Sequence, residues 1–302
     1  MDNALVSIVI PLYNAEEFIG ETIESVINQS YSYWELIIVD DCSTDGSVNI
    51  VKQYLKNDNI ILIENIQNCG GPAGPRNIGV KNAKGSFIAF LDADDIWHSE
   101  KLKVQVDFMK LNPSIIILGT NAETFPQKYK NKLYLRNDLP VSFKYLLKSN
   151  KFITSSVLIR SEIVSQVGYF DENKEVRAAE DYDFWLRILS YKDHSGYVIN
   201  QPLVKYRIHN QNISLYQDEN STGHYDRLLY IYKKHPQFFS NGEIQKLQQN
   251  KIYLNRLRSI KDAYHRETVS TCQILFGEKL RFTDRVLLVI KKFVLNILKQ
   301  RQ

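Results

Sequence analysis

Four strand-like runs alternate with segments of helical periodicity in the first hundred residues. The runs are Val6–Pro11, Glu35–Asp41, Ile60–Glu64 and Ser86–Leu91. This alternation predicts βαβ units around a mostly parallel sheet, and hence an α/β fold. Parallel strands end at one edge of their sheet, and open α/β sheets bind ligands in the crevice outside that edge. We therefore expect a ligand site, of the kind that holds a nucleotide, where these strands end.

Carboxylates follow two of the four predicted strands. Asp40 and Asp41 close the second run, and Asp92, Asp94 and Asp95 follow the fourth. Hard oxygen ligands at this spacing suit Mg²⁺ or Mn²⁺ carrying a diphosphate. A solvated acidic turn would give the same pattern, so both interpretations stand on the motif alone. The sequence has neither a G-x-G-x-x-G fingerprint nor a P-loop, which disfavours dinucleotide binding and P-loop chemistry.

Positive charge is concentrated at the C-terminal end of the chain. Residues 273–302 contain seven Lys or Arg and two acids, whereas the whole 302-residue chain carries a net charge of +4. The rest of the chain is therefore nearly neutral. Nucleic-acid binding needs a basic face on the folded domain itself, so this distribution predicts no nucleic-acid partner.

Cysteine usage and hydropathy predict a cytoplasmic protein. Cys42, Cys69 and Cys272 are odd in number and widely spaced, which disfavours a disulfide framework and indicates a reducing compartment. The apolar stretch Leu5–Leu12 is too short for a secretory signal, and acids follow it. No stretch reaches the roughly 18–20 apolar residues of a membrane span.

The pattern changes character after the first hundred residues. Phe152–Arg160 predicts a strand, and residues 180–188 predict the start of a helix. From about Tyr216 the chain is predicted to be helical, with a periodic stretch at Ile244–Ala263. We expect an α/β domain at residues 1–215 and a helical C-terminal region at residues 216–302.

The last predicted helix, Thr283–Lys299, has a cationic face and an apolar face. Such a helix is typical of segments that lie on anionic lipid. It would place the protein peripherally on the cytoplasmic face of the inner membrane. Docking on the domain at residues 1–215, or on a second subunit in a homo-oligomer, is the alternative that the pattern leaves open.

Six motifs in order resemble glycosyltransferase family 2. They are Val6–Asn14, Val39–Ser47, Arg76-Asn77, Leu91–Trp97, Glu180–Arg187 and Tyr206–His209. The resemblance runs from about Ala4 to Ser214. It implies an inverting transferase of the bacterial surface-polysaccharide type with the GT-A fold: one nucleotide-diphospho-sugar transferase domain with a mostly parallel central sheet, here followed by a C-terminal helical extension.

The resemblance assigns a nucleotide pocket to the first strand ends. Pro11, Tyr13 and Asn14 would line it, and Asp41 would accept a hydrogen bond from the base, which favours uracil. Arg76 would offer its guanidinium to a base carbonyl or a phosphate oxygen. Two alternatives stay open: Tyr13 as a packed loop aromatic, and Arg76 as the partner of a nearby acid.

The resemblance also assigns the metal ligands. Asp92 would face the ribose and the metal's water shell, Asp94 would bind Mn²⁺ or Mg²⁺ directly, and His209 would complete the shell. Ala93 and Asp95 would contact the donor, Asp95 by orienting its sugar. The metal would neutralise the leaving nucleoside diphosphate. A lone histidine is as easily structural, so that alternative for His209 stays open.

Glu180 and Asp181 match the acidic pair on the acceptor side. Inversion by direct displacement needs one base on the acceptor hydroxyl. The resemblance gives that role to Asp181 and a supporting role to Glu180, while a helix N-cap is the alternative for Asp181. For Trp185 a core position and a sugar platform are both open, and for Arg187 an ion pair and a ligand.

These assignments predict a glycosyltransferase. The donor would be a nucleotide sugar, a UDP-hexose or UDP-N-acetylhexosamine, and the acceptor a glycan or a lipid-linked saccharide. The alternative from another class is a non-catalytic nucleotide-sugar binding module. An intact acceptor base, Asp181, disfavours it, because a binder needs no base. A nucleotidyltransferase is disfavoured because its basic, Gly-rich N-terminal loop is absent.

Overall fold

The computed structural model describes residues 4–125, 137–191, 194–209 and 223–251. Within these ranges the strands are β1 (Val6–Leu12), β2 (Trp34–Asp40), β3 (Ile60–Glu64), β4 (Phe87–Phe90), β5 (Ile96–Trp97), β6 (Ile115–Phe125), β7 (Leu139–Val141), β8 (Leu158–Arg160) and β9 (Ser195–Arg207). The helices are α1 (Ile19–Ile27), α2 (Ser47–Lys52), α3 (Ala73–Asn82), α4 (Lys101–Leu111), α5 (Phe143–Leu146), α6 (Val164–Val167), α7 (Glu180–Ser190) and α8 (Gly223–Lys234), and residues 241–251 are also helical.

The strands form one mixed sheet in the order β3-β2-β1-β4-β8-β6-β9-β5, with β7 paired to β9. β3, β2, β1 and β4 are all parallel, and their register sets Leu12 opposite Asp40. The four predicted N-terminal strands and the α/β fold are confirmed. The carboxyl ends of β1, β2 and β4 therefore meet at one edge, as the sequence predicts.

The first two strands form the centre of the core. Every residue of β2 is buried, and Val6, Ile8 and Ile10 of β1 have no exposed surface. Such continuous burial is typical of parallel strands covered on both faces. Helix α3 lies close to β1, because a Cβ on Gly79 would come within 2.4 Å of a Val9 methyl carbon. This close packing holds α3, which carries Arg76, against β1.

The strand predicted at Phe152–Arg160 is largely wrong. Thr154–Ser156 is a 3₁₀ turn, and only Leu158–Arg160 is a strand. Within the turn, the Ser156 backbone N–H and hydroxyl both donate to the Ile153 carbonyl, at 2.8 and 2.7 Å. Short hydroxyl side chains compete with the strand ladder in this way, and the local apolar pattern does not reveal it.

The chain divides into two compact units, residues 1–212 and 213–302. The predicted division at 215/216 stays a prediction. Helix α8 and the helical residues 241–251 lie in the second unit. The predicted amphipathic helix Thr283–Lys299, most of Ile244–Ala263, Ser214 and Cys272 lie outside the described residues. In the described ranges, none of the helices has the length and hydropathy to cross a membrane.

Candidate active site

Backbone strain surrounds the edge where β1, β2 and β4 end. Asn14, Cys42 and Ala178 have φ values of 47°, 65° and 66°. Asn14 follows β1, Cys42 follows Asp41, and Ala178 precedes the acidic pair at the start of α7. The left-handed region is uncommon for residues with a Cβ, and such strain concentrates at functional sites. All three strained residues therefore flank the predicted active site.

Asp41, which is predicted to bind the nucleobase, is held tightly by hydrogen bonds. It is 3% exposed, and its Oδ1 accepts from the Cys69 backbone N–H at 2.9 Å and from Asn65 Nδ2 at 3.0 Å. The neighbouring Asp40 accepts from the Ser43 backbone N–H and so holds the following loop. These contacts fix the orientation of the Asp41 carboxylate.

Tyr13 presents an accessible aromatic ring at the same edge. The residue is 54% exposed. Its neighbour Asn14 is anchored, because Asn14 Oδ1 accepts from the Thr44 backbone N–H at 2.8 Å. Pro11 is half-buried within β1. An exposed ring on an anchored loop leaves a face on which a planar base can stack.

Arg76 joins the predicted donor side and the predicted acceptor side of the site. Its Nη2 lies 2.6 Å from Asp92 Oδ1, and its Nη1 lies 2.8 Å from Glu180 Oε1. Arg76 is only 4% exposed. The ion-pair alternative for Arg76 is therefore what the structure contains. A buried guanidinium with two carboxylate partners fixes both of them.

Buried hydrogen bonds hold the loop after β4 in place. Asp95 has no exposed surface; its Oδ2 accepts from the Ser155 hydroxyl at 2.5 Å and its Oδ1 from the Arg207 backbone N–H at 2.9 Å. Burial, with the charges of Asp94 and Asp92, raises the pKa of Asp95 well above its usual range. The Ala93 carbonyl accepts from the Thr22 hydroxyl. Asp95 therefore anchors the loop, and its predicted contact with the donor sugar stays a prediction.

Asp94 and His209 meet at the open side of this loop. Asp94 Oδ2 lies 2.8 Å from His209 Nε2, and both side chains are partly exposed. The His209 ring packs against Phe18, with 4.6 Å between ring centroids. Within the described ranges no three potential ligands converge on one point, and Asp92 pairs with Arg76. The structure thus brings together two of the three predicted metal ligands.

Asp181 lies at the start of α7 with both carboxylate oxygens engaged. Oδ2 accepts from Asn150 Nδ2 at 3.0 Å and from the Thr154 hydroxyl at 3.1 Å, and Oδ1 accepts from the Tyr182 backbone N–H at 2.7 Å. Burial and the charge of Glu180 raise the pKa of Asp181 to about 6, against the opposing charge of Arg76. The N-cap alternative is wrong, because Ala179 holds that position.

Comparisons with known proteins decide the family. A protein-family model described as "Glycosyl transferase family 2" matches residues 7–173 of the sequence. The chain belongs to this family. TuaG of Bacillus subtilis, named for teichuronic acid biosynthesis, is 36% identical over 70% of this chain and 81% of its own length. The Escherichia coli "UDP-Glc:alpha-D-GlcNAc-diphosphoundecaprenol beta-1,3-glucosyltransferase WfgD" is 34% identical over 71% of this chain and 81% of its own.

Solved structures agree on the fold of this family 2 enzyme. Staphylococcus aureus TarS (residues 1–349, with UDP) superposes with a TM-score of 0.61 at 21% identity, over 94% of this chain and 80% of the other. The mannosyltransferase PcManGT of Pyrobaculum calidifontis, with GDP-Man and Mn²⁺, gives 0.64 at 15% identity, over 97% and 81%. The GT-A fold is confirmed, and the protein is a glycosyltransferase of the hexosyl-transferring class.

The structure resolves the two alternatives that the sequence of this glycosyltransferase left open for Trp185 and Arg187, and it also shows what Arg207 contacts. Trp185 has no exposed surface and lies in the core. Arg187 pairs with Asp183 at 3.0 Å. Arg207 donates from Nε to the Asp94 carbonyl at 2.6 Å, so it braces the loop after β4. None of the three has to contact substrate to explain its position.

Sequence reasoning missed the side chains that hold the acids. Asn150, Thr154 and Ser155 contact Asp181 or Asp95. The run Thr154-Ser155-Ser156 was visible as three hydroxyls inside an apolar segment. That run was the available signal, because buried hydroxyls need partners.

Proposed function

We propose that this enzyme transfers a hexose or N-acetylhexosamine from a UDP-sugar to a hydroxyl of a glycan or lipid-linked saccharide, with inversion at the anomeric carbon. The observation that carries the proposal is the position of Asp181, a half-buried carboxylate linked to the donor-side Asp92 through Glu180 and Arg76. The names of relatives support the substrates: WfgD is named for UDP-Glc and a diphosphoundecaprenol-linked sugar, and a TarS structure contains UDP-GlcNAc.

The proposed reaction is a single displacement. The proton of the acceptor hydroxyl passes to Asp181 while the acceptor oxygen bonds to the anomeric carbon. The bond from that carbon to the diphosphate breaks, and its electron pair leaves with UDP. A pKa of about 6 suits this role, because the carboxylate is mostly ionised at neutral pH and remains a useful base.

Pro11, Tyr13, Asn14 and Asp41 are the proposed uracil site. The exposed Tyr13 ring supports stacking. Asp41 Oδ2 accepts only the Cys69 N–H, at 3.1 Å, among the described contacts, so it can take a further hydrogen bond from the base N–H. In this proposal Ala93 and Asp95 shape the loop under the donor, and Arg76 orients Asp92.

The side chains of Asp94 and His209 are suitable ligands for a divalent metal. Asp94 and His209 provide a carboxylate and an imidazole within 2.8 Å of each other, a pair that suits Mn²⁺, and Mg²⁺ commonly uses one or two carboxylates with substrate phosphates. Asp94, His209 and Asp92 are the residues proposed to hold it. When bound, the metal would neutralise the charge on the leaving diphosphate.

A donor screen tests the proposal. The purified full chain is incubated with a panel of nucleotide sugars and with Mn²⁺, Mg²⁺ or EDTA, and UDP release is measured. We expect release from one UDP-sugar, abolished by EDTA and restored by Mn²⁺. Release that EDTA does not affect would contradict the metal site. Donor binding without release, in the presence of lipid-linked and glycan acceptors, would favour the binding module.

We further propose that the basic tail brings the enzyme to an anionic membrane surface. The support is the sequence alone, seven Lys or Arg among residues 273–302. A surface location would suit a lipid-linked acceptor. Binding of the same tail to a second copy of the chain is the alternative that the amphipathic pattern allows.

A further inference from the structure

The 3₁₀ turn Thr154–Ser156 carries three consecutive hydroxyls, and each has a different partner. The Thr154 hydroxyl donates to Asp181 Oδ2 at 3.1 Å. The Ser155 hydroxyl donates to Asp95 Oδ2 at 2.5 Å and accepts from the Asp92 backbone N–H at 3.1 Å. One turn thus contacts both the proposed acceptor base and the loop proposed to lie under the donor.

The turn itself is fixed in place. Its Ser155 carbonyl accepts from Trp97 Nε1 at 2.7 Å, and its Ser156 carbonyl accepts from Gln105 Nε2 at 2.9 Å. Ser155 and Ser156 have no exposed surface. Buried and fully bonded side chains of this kind have little rotational freedom, so they hold their partners to a defined geometry.

The hydrogen bonds to Asp181 leave only one of its two carboxylate oxygens able to accept a proton, among the described contacts. Asn150 and Thr154 both donate to Oδ2, and the Tyr182 backbone N–H donates to Oδ1. Each carboxylate oxygen has about two lone pairs. Among the described contacts, Oδ2 is therefore saturated, and Oδ1 keeps a lone pair for the acceptor hydroxyl.

We propose that Thr154 is a positioning residue for the transfer reaction: with Asn150 it saturates Oδ2 of Asp181, so that Oδ1 receives the acceptor proton. Ser155 ties the same turn to Asp92 and Asp95, which sets the distance between the base and the donor loop. The inference rests on the proposed function, since it needs Asp181 to act as the base.

This arrangement gives a pH signature. The charged groups that act on Asp181 are Glu180 on its own helix and Arg76 on α3. The Thr154 hydrogen bond favours the ionised carboxylate and so lowers the pKa of Asp181. Removal of the hydroxyl raises that pKa, and the acid limb of the kcat/KM profile moves to higher pH.

The test compares three variants of the full chain. Thr154→Val removes the hydroxyl at nearly constant shape, and Thr154→Ser keeps it. Ser156→Ala is the matched control, because among the described contacts the Ser156 hydroxyl bonds only the carbonyl of Ile153, the residue before the turn. UDP release from the donor that the wild type uses is followed across pH, and UDP affinity is measured by calorimetry with Mn²⁺.

We expect Thr154→Val to lower kcat by roughly 10- to 100-fold, since a small misplacement of a catalytic group has that effect. Its donor KM and UDP affinity stay near wild type, its acid limb moves to higher pH, and Thr154→Ser restores both kcat and the limb. Wild-type behaviour in Thr154→Val overturns the inference. A loss of kcat in Thr154→Val without a shift of the acid limb of the pH profile also overturns it. An equal loss of kcat in Ser156→Ala overturns it as well, because either result indicates a structural role. A wild type that releases no UDP from any donor contradicts the proposed function instead.

Discussion

Arg76 is the residue on which the charge balance of the site depends. One buried guanidinium contacts Asp92 on the proposed donor side and Glu180 on the proposed acceptor side, and its charge also acts on Asp181. Loss of a buried partner leaves uncompensated charge, which costs about 3–5 kcal/mol. Burial is the main cause of the raised pKa of Asp181, and the charge of Glu180 raises it further, because one cation does not fully offset three acids. The proposed base is therefore responsive to pH near neutrality.

The acid limb of wild-type activity is predicted to lie near pH 6. The base acts in its ionised form, and its pKa is raised from 3.8 to about 6, so kcat/KM falls as the pH drops through about 6 and rises above it. A pH profile of UDP release with saturating Mn²⁺ measures this. A limb near the ordinary value of 3.8 would contradict the assignment of Asp181 as the base in this environment.

At the scale of elements, strong local sequence patterns predicted the N-terminal strands. The features that the sequence did not predict depend on contacts between residues far apart in the chain. β1 to β4 were predictable because each is a short apolar run bounded by turn residues. The turn Thr154–Ser156 was not, since its hydroxyls bond acids 27 and 60 positions away. The insertion of β8 between β4 and β6 likewise depends on pairing that no local sequence pattern encodes. The acids of the site were predictable from motifs, whereas the side chains that hold them were not.

At the scale of the whole molecule, the matched family domain covers residues 7–173, and the basic charge lies far beyond it. The first unit, residues 1–212, contains every predicted catalytic, donor and metal residue. The proposed catalytic residues and the proposed membrane-binding segment therefore lie in different parts of the sequence, and experiment can separate the two functions.

Deletion of residues 281–302 is predicted to abolish binding to anionic vesicles while donor binding persists. The deleted segment carries six Lys or Arg against one acid, and each cation near an anionic surface contributes about 1 kcal/mol. Cosedimentation with phosphatidylglycerol vesicles measures the loss, and phosphatidylcholine vesicles are the control. Undiminished sedimentation of the truncated chain would contradict the assignment to the tail, and a lower oligomeric state without any lipid effect would favour self-association.

The most direct test of the central claim is a comparison of Asp181→Asn with the wild type. Asn keeps the shape of the side chain but cannot accept the proton, so transfer should fall by about 100- to 10,000-fold. UDP affinity, measured by calorimetry with Mn²⁺, should remain at the wild-type level. Glu175→Gln, at an exposed acid six residues earlier, is the control and should change neither. Transfer by Asp181→Asn at the wild-type rate, with UDP affinity intact, would contradict the claim that Asp181 is the base.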